Sequence, residues 1–202
     1  YFKKESLKEV VFWYSLEEGI RDNILKSVKD NIVSYDFDGG NEEKIISDII
    51  KDFFNKYGEI KLYSGQMAKI AFYFKSEEHL QSSKLEIEKA LTLISKSPTL
   101  ILVNTQKSSK KEIEEFNELN SPESQKRIVL LIDKGKEGWN CPSLFATALI
   151  REASSSNNFI LQASTRCLRQ VKENKERAKI YLSSKNIEIL DKELQENFNI
   201  SI

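Results

Sequence analysis

Short apolar runs alternate with segments of helical spacing along the chain. The runs predict strands over residues 10–14, 68–74, 99–103, 127–133, 145–150 and 178–182. Helices are predicted to begin after Asn41, at Ser76 and at Ser109, and further helices over residues 157–171 and 187–196. Residues 16–33 fit neither pattern, and residues 36–40 are predicted to be a loop. This alternation indicates an α/β domain whose mostly parallel sheet is flanked by helices.

Several single residues mark where the helices begin and end. The amphipathic helix after Asn41 is predicted to stop at Gly58. Ser109 and Glu112 have the spacing of a capping box, in which each residue satisfies a backbone N–H of the other. The helix that they open is expected to direct Ile113 and Phe116 into the core.

Composition excludes several classes of protein. The chain has 202 residues, 40% of them apolar and 31% charged, which is ordinary for a soluble globular domain. Basic and acidic residues number 31 each, so the net charge is zero and any basic binding site must be local. No apolar run approaches the ~18 residues of a membrane span. The chain begins with Tyr1 and no signal peptide, and we expect it to be a piece of a longer protein.

Cysteine and histidine usage argues against a zinc site. Cys141 and Cys167 are far apart, and His79 is the only histidine. This pattern lacks metal-ligand spacing and favours a reducing, cytoplasmic location, with no metal ligands predicted. His79 is expected to be an ordinary residue on a helix surface.

Three polar residues share one side of the helix predicted over residues 157–171. At 100° per residue, Gln162, Arg166 and Arg169 fall within an arc of about 60°. A guanidinium is permanently charged and can contact two phosphate oxygens at once, so two in line suit a polyphosphate. A solvated basic face is the alternative interpretation.

A second unusual segment, residues 134–142, follows a predicted buried strand. Its Gly138 would allow a ligand close to the backbone, and Pro142 stiffens its exit. Trp139 is either a packing plug or a contact surface. Because the working loops of parallel sheets follow the carboxyl ends of the strands, we expect both segments at that edge.

Together these segments resemble the second RecA-like lobe of superfamily two helicases, and within them the Res subunit of type III restriction enzymes. Residues 136–142 (KEGWNCP) are similar to the motif V loop, which usually reads Glu-Gly-Trp-Asp. Residues 162–169 (QASTRCLR) are similar to motif VI, Gln-x-x-Gly-Arg-x-x-Arg. Residues 69–74 look like the opening strand of the lobe, and residues 10–26 look like the segment that leads into it.

The resemblance implies a role for each motif residue. Arg166 and Arg169 would be catalytic, one as an arginine finger and the other as a sensor of the γ-phosphate. The implied nucleotide-binding residues are Gln162, Gly138 and Asn140. Glu137 and Trp139 would couple the nucleotide state to nucleic acid and to the other lobe.

The implied whole is an ATP-dependent DNA helicase or translocase, of which this chain is half. Residues 1–42 would be the lead-in from a first lobe, and residues 43–202 the C-terminal lobe. The sequence contains neither Gly-x-x-x-x-Gly-Lys-Ser/Thr nor Asp-Glu-x-His, so ATP and Mg²⁺ would be held mainly by the first lobe, and the chain alone is expected to be inactive. The partners implied are that lobe, DNA and a methyltransferase subunit. Basic residues outnumber acidic ones seven to three over residues 151–179, which agrees with a DNA partner.

Two departures leave an alternative open. Asn140 stands where the family usually has Asp, and Thr165 where motif VI usually has Gly. They support a second hypothesis, a non-catalytic RecA-like module that binds DNA or a protein with its ATP role decayed. A third hypothesis is a nuclease fragment, based on the Glu-x-Lys sequence of Glu59 and Lys61, but no Pro-Asp strand precedes it. A simple nucleotide-binding or flavodoxin-like domain would leave the arginines unexplained.

Overall fold

The computed structural model describes residues 16–22, 24–26, 31–36, 40–132, 139–150, 157–169 and 176–198. The strands are β1 (Ile32–Tyr35), β2 (Lys69–Tyr73), β3 (Ile101–Asn104), β4 (Ile128–Leu131), β5 (Leu144–Leu149) and β6 (Lys179–Ser183). The helices are α1 (Leu16–Arg21), α2 (Glu42–Tyr57), α3 (Glu77–Leu93), α4 (Lys110–Asn117), α5 (Asn157–Ser164) and α6 (Ser184–Phe198), with 3₁₀ turns at Pro98–Leu100 and Thr165–Leu168. The six described strands form one parallel sheet in the order β1-β6-β5-β2-β4-β3. The predicted α/β fold with a parallel sheet is confirmed.

Helices cover both faces of the sheet, which explains the unbroken apolar strands. Successive residues of a strand point to opposite faces, so a strand covered on both sides is apolar throughout. In β2, Ile70 and Phe72 pack into the cluster with α2 and α3. Ala71 and Tyr73 pack into the cluster with α5 and α6. Every residue of β2, β4 and β5 is buried as a result.

The predicted helix signals are confirmed, with one error in α4. Ser109 and Glu112 form the capping box, and α2 ends immediately before Gly58. Phe116 packs against the core as expected. Ile113 does not, because 42% of its surface is exposed. The helix has only eight residues and none is fully buried, so its inward face is narrower than the apolar pattern suggested.

His79 is not on an open surface, contrary to expectation. Its Nε2 atom lies 2.9 Å from Oε1 of Glu42, and 14% of its side chain is exposed. The ring also packs edge-on against Phe74. Because α2 and α3 lie side by side on one face of the sheet, the first turns of the two helices meet, and the contact between His79 and Glu42 joins them.

The segment that fitted no pattern contributes an edge strand. Residues 16–33 contain α1 and the start of β1, and β1 pairs with β6 at the edge of the sheet. The strand predicted over residues 10–14 lies outside the described residues. The domain boundary at residue 42 stays a prediction, although β1, which precedes it, belongs to the same sheet as the residues that follow.

Arg127 connects the end of α2 to the sheet. This buried side chain donates from Nη2 to the carbonyl oxygens of Tyr57 and Gly58, at 3.2 and 3.1 Å, and from Nε to that of Ala68 at 2.5 Å. The last carbonyls of a helix have no partner within the helix, so a buried guanidinium beside them supplies the missing donors.

None of the described helices combines the length and apolar character required to cross a membrane.

Candidate functional site

The two unusual segments meet at the amino end of β5. Arg166 donates from Nη1 to the backbone oxygen of Trp139 at 2.8 Å. Arg169 donates from Nη1 to Oδ1 of Asn140 at 2.6 Å. Trp139 and Asn140 precede β5 by a few residues, and α5 runs back across the sheet after β5, so its far end reaches the same edge. The expectation that the site lies at the carboxyl edge of the sheet is therefore wrong for these residues.

The spacing predicted that the two arginines lie in a row on one α-helix, and this is wrong. Residues 157–164 are α-helical, Arg166 lies in the 3₁₀ turn, and Arg169 has an extended backbone at φ −58° and ψ 129°. The backbone at Arg169 forms an antiparallel bridge with Leu25. The two guanidiniums have different partners, a backbone oxygen for Arg166 and a side-chain amide oxygen for Arg169.

Side-chain hydroxyls explain why α5 ends early. Ser164 donates to the carbonyl oxygen of Ile160 at 2.6 Å, and Thr165 donates to that of Leu161 at 2.7 Å. Such bonds to the preceding turn compete with the backbone ladder and bend helices. Thr147 of β5 also donates to the carbonyl of Ser164, at 3.1 Å, and so occupies an acceptor at the helix end. The adjacent Ser164 and Thr165 are the sequence signal that could have predicted the break.

Trp139 is a packing residue whose backbone performs the polar contact. Its ring stacks on Phe116 of α4, with centroids 5.4 Å apart and planes inclined by 30°. The side chain is half-buried against the core cluster that includes α5 and α6. Of the two interpretations left open by the sequence, the structure shows the plug. The coupling role of Trp139 stays a prediction, and Glu137 and Gly138 lie outside the described residues.

Gln162 is half-buried on α5, one turn before Arg166. Among the described residues, no hydrogen bond joins it to either arginine. The structure therefore brings together four of the predicted residues, Arg166, Arg169, Trp139 and Asn140, and leaves Gln162 outside the hydrogen-bonded group. Its nucleotide-binding role stays a prediction.

Two further amides belong to this group and were not predicted. Asn120 donates from Nδ2 to the backbone oxygen of Asn140 at 2.7 Å. Gln66 donates from Nε2 to the backbone oxygen of Asn120 at 2.5 Å. Both residues lie in ordinary polar loops, at residues 58–68 and 118–127, and no motif or periodicity distinguishes them. Only their position in the fold reveals them.

Buried ionisable groups lie below this edge. Lys69, fully buried, donates to Oγ of Ser143 at 3.0 Å, and burial lowers the pKa of its ammonium. Burial raises the pKa of the Cys141 thiol and raises that of Cys167 to about 11. Both cysteines are free and buried, so they are neutral thiols that act as packing groups.

The fold is the RecA-like α/β fold that forms the C-terminal lobe of helicases, defined here by the six-stranded parallel sheet with helices on both faces. No protein-family model and no curated protein matches the sequence.

Solved structures share the fold, among them the following two. One is the ATP-dependent Type ISP restriction-modification enzyme LlaBIII bound to DNA, with a TM-score of 0.53 and 15% identity over 85% of this chain. The alignment spans 12% of that enzyme. The other is the C-terminal domain of the DEAD-box protein Dbp5, with a TM-score of 0.53 and 8% identity over 89% of each chain. At these identities the similarity establishes the fold.

Proposed function

We propose that this chain is the C-terminal motor lobe of an ATP-dependent DNA helicase or translocase, the restriction (Res) subunit of a type III restriction-modification system. The observation that carries the proposal is the pair of contacts from Arg166 to Trp139 and from Arg169 to Asn140. The two segments that resemble motifs V and VI lie far apart in the sequence, and their residues bond to each other. A chance resemblance of either segment does not require that meeting.

In this proposal the two arginines contact the phosphates of ATP held by the first lobe. Arg169 is exposed at the amino edge of the sheet, where a second lobe can approach it. Arg166 is half-buried and held by a backbone oxygen. A guanidinium beside the transferred phosphoryl group neutralises charge that develops in the transition state. Arg169 is assigned as the arginine finger and Arg166 as the sensor of the γ-phosphate.

The chemistry of the donors agrees with a phosphate ligand. Guanidiniums and amides donate hydrogen bonds to anionic oxygens. Within the described ranges, no group of three or more His, Cys, Asp or Glu side chains is placed to hold a metal ion. By the resemblance, Mg²⁺ and the main ATP-binding contacts belong to the first lobe, and this lobe closes the site over the phosphates.

The remaining assignments follow from the resemblance. Glu137 and Trp139 would couple nucleotide state to DNA, Gly138 would contact the nucleotide, and Gln162 would orient the arginines or contact the nucleotide. The partners are the first lobe, DNA and a methyltransferase subunit, and the location is the cytoplasm. LlaBIII, which shares the fold, is bound to DNA in its structure, and this supports a DNA partner by analogy.

The test is DNA-stimulated ATP hydrolysis by the protein that contains both lobes. Loss of an arginine finger costs about 10³- to 10⁵-fold in turnover, so Arg169→Ala is expected to be nearly inactive. Arg166→Ala should also lose the stimulated activity. Arg21→Ala, which removes an exposed arginine that pairs with its neighbours Glu18 and Asp22, is the matched control. Turnover of Arg169→Ala within tenfold of the wild type would refute the assignment.

A non-catalytic RecA-like module is the second candidate, and the Asn140 contact favours it. The guanidinium of Arg169 already has a partner within the lobe, and that partner is an amide where the family usually has a carboxylate. This candidate predicts no ATP turnover by the folded protein with Mg²⁺ and DNA present. The arginines would then bind DNA or a protein partner.

A further inference from the structure

Asn140 is held at both of its polar ends. Its side-chain oxygen accepts from Arg169 at 2.6 Å, and its backbone oxygen accepts from Asn120 at 2.7 Å. Asn120 is in turn held through its own backbone oxygen by Gln66, at 2.5 Å. Three amides thus connect the guanidinium of Arg169 to two loops at the amino edge of the sheet.

The far end of this connection is firmly anchored. Gln66 is only 8% exposed and lies in a tight hairpin closed by a bridge between Lys61 and Met67. Gly65 has φ of +91°, a conformation that favours glycine. A Cβ atom at this position would lie 2.9 Å from Cβ of Pro122, so the hairpin packs directly on the loop that carries Asn120. Asn140, which Asn120 contacts, is therefore fixed in position relative to the sheet.

We propose that Asn120 and Asn140 form a two-amide clamp that positions Arg169 for its phosphate contact, with Gln66 holding Asn120 in place. An exposed arginine has many rotamers, and fixing it in one of them costs side-chain entropy. A clamp that orders the side chain before ATP arrives moves that cost out of the catalytic step. Asn120, Asn140 and Gln66 are positioning residues in this scheme, which rests on the proposed function.

The neutrality of the clamp is part of the inference. A carboxylate in the place of Asn140 would compete with phosphate for the positive charge of Arg169, whereas an amide oxygen orients the guanidinium and leaves its charge available. The contact with Asn140 uses Nη1, so Nη2 of the same fork can donate to an anion.

The decisive variant is Asn120→Asp, which keeps size and shape and replaces the donor amide with a carboxylate oxygen. That oxygen faces the backbone oxygen of Asn140 and repels it, so the clamp should open. Asn117→Asp makes the same change on the exposed end of α4 and is the matched control. Asn140→Leu removes the acceptor for Arg169. Asn140→Asp keeps an acceptor oxygen but adds a negative charge, so it should leave Arg169 ordered and still lower ATP turnover.

The first measurement uses the 202-residue chain and does not depend on ATP. Relaxation of the Arg169 Nε–Hε signal, assigned from the spectrum of Arg169→Lys, reports how ordered the side chain is. Wild type, Asn117→Asp and Asn140→Asp should show an ordered guanidinium. Asn120→Asp and Asn140→Leu should show a mobile one, with unchanged melting temperatures.

The second measurement is ATP hydrolysis by the protein that contains both lobes. Asn120→Asp should lower kcat by roughly tenfold with little change in the KM for ATP, because a mispositioned finger affects the transition state more than the bound substrate. A purely structural role would alter the melting temperature and leave this division between kcat and KM unmoved.

The two measurements separate failure of the clamp from failure of the proposed function. If Arg169→Ala abolishes turnover while Asn120→Asp behaves like Asn117→Asp in both measurements, the clamp is overturned and the arginine finger stands. If the wild type hydrolyses no ATP, the proposed function is overturned and, with it, the use of the clamp for phosphate. The inference is supported if Arg169 is ordered in the wild type and if Asn120→Asp both makes it mobile and lowers kcat.

Discussion

Arg169 and Asn140 are 29 positions apart in the chain, and Nη1 of the arginine donates to Oδ1 of the asparagine over 2.6 Å. The contact joins a charged donor to a neutral acceptor, where the resembling family usually has a carboxylate. An exposed ion pair contributes ~0–1 kcal/mol and would have to be broken when phosphate binds. The asparagine keeps the geometry and removes that competition.

Lysine substitutions test whether the guanidinium fork matters or only its charge. Lysine keeps a positive charge but carries all of its donors on one nitrogen, so it cannot place one nitrogen against Asn140 and another against a phosphate. We expect Arg169→Lys to lower DNA-stimulated ATP turnover by about 10²-fold, less than Arg169→Ala but far from wild type. Wild-type turnover with Arg169→Lys would mean that charge alone suffices.

The stack of Phe116 on Trp139 should stabilise the loop that holds Arg166. Removing the ring with Phe116→Ala should cost about 2 kcal/mol, because it removes burial and the aromatic pair. The emission of Trp139 should shift to the red, measured in a Trp13→Phe background because Trp13 is the other tryptophan. Ile113→Ala on the same helix is the control and should change stability by less than about 0.5 kcal/mol, since Ile113 is 42% exposed. Unshifted emission in Phe116→Ala would contradict the packing role.

Arg127 should be a sensitive position for stability, outside the site. Arg127→Met removes the donors to the carbonyls of Tyr57, Gly58 and Ala68 and leaves them buried. We expect a loss of about 2–4 kcal/mol in the free energy of unfolding, measured by urea denaturation. Arg177→Met, at an exposed position, should lose less than about 0.5 kcal/mol. Equal losses for the two variants would show that the carbonyl contacts contribute little.

Cys167 predicts a decline of stability in alkali. Burial raises its thiol pKa from 9.0 to about 11, so between these values the unfolded chain loses a proton that the folded chain keeps. The stabilisation is complete below pH 9 and is lost as pH rises through 11, by about 2 kcal/mol at pH 10.5.

The comparison with Cys167→Ala isolates this contribution. Wild type should lose about 2 kcal/mol more than the variant between about pH 7.5 and pH 10.5, measured by urea denaturation with a reductant present. The other titrating groups are common to both proteins and cancel in the difference. Parallel pH profiles would show that the pKa of the Cys167 thiol is the same in the folded chain as in the unfolded chain.

Sequence periodicity predicted the parallel sheet because strands that are covered on both sides must be apolar on both faces. The consecutive apolar residues Ile70 and Ala71, which point to opposite faces, show this pattern. The spacing of Ser109 and Glu112 predicted the capping box, because a cap depends only on residues that are close in sequence. Periodicity overestimated the length of α5. The local hydroxyls of Ser164 and Thr165 bond to the preceding turn, and Thr147 of β5 donates to the carbonyl oxygen of Ser164.

The sequence by itself determined the class of fold and the residue types of the site, two arginines, an asparagine and a tryptophan. Only the tertiary structure decided that these residues meet at the amino edge of the sheet, that Trp139 packs on Phe116, and that Asn120 supports Asn140. The physical reason is that periodicity and helix caps depend only on residues a few positions apart in the sequence. The contacts of Arg169 depend instead on which loops lie beside the end of α5, and that is set by packing between distant segments.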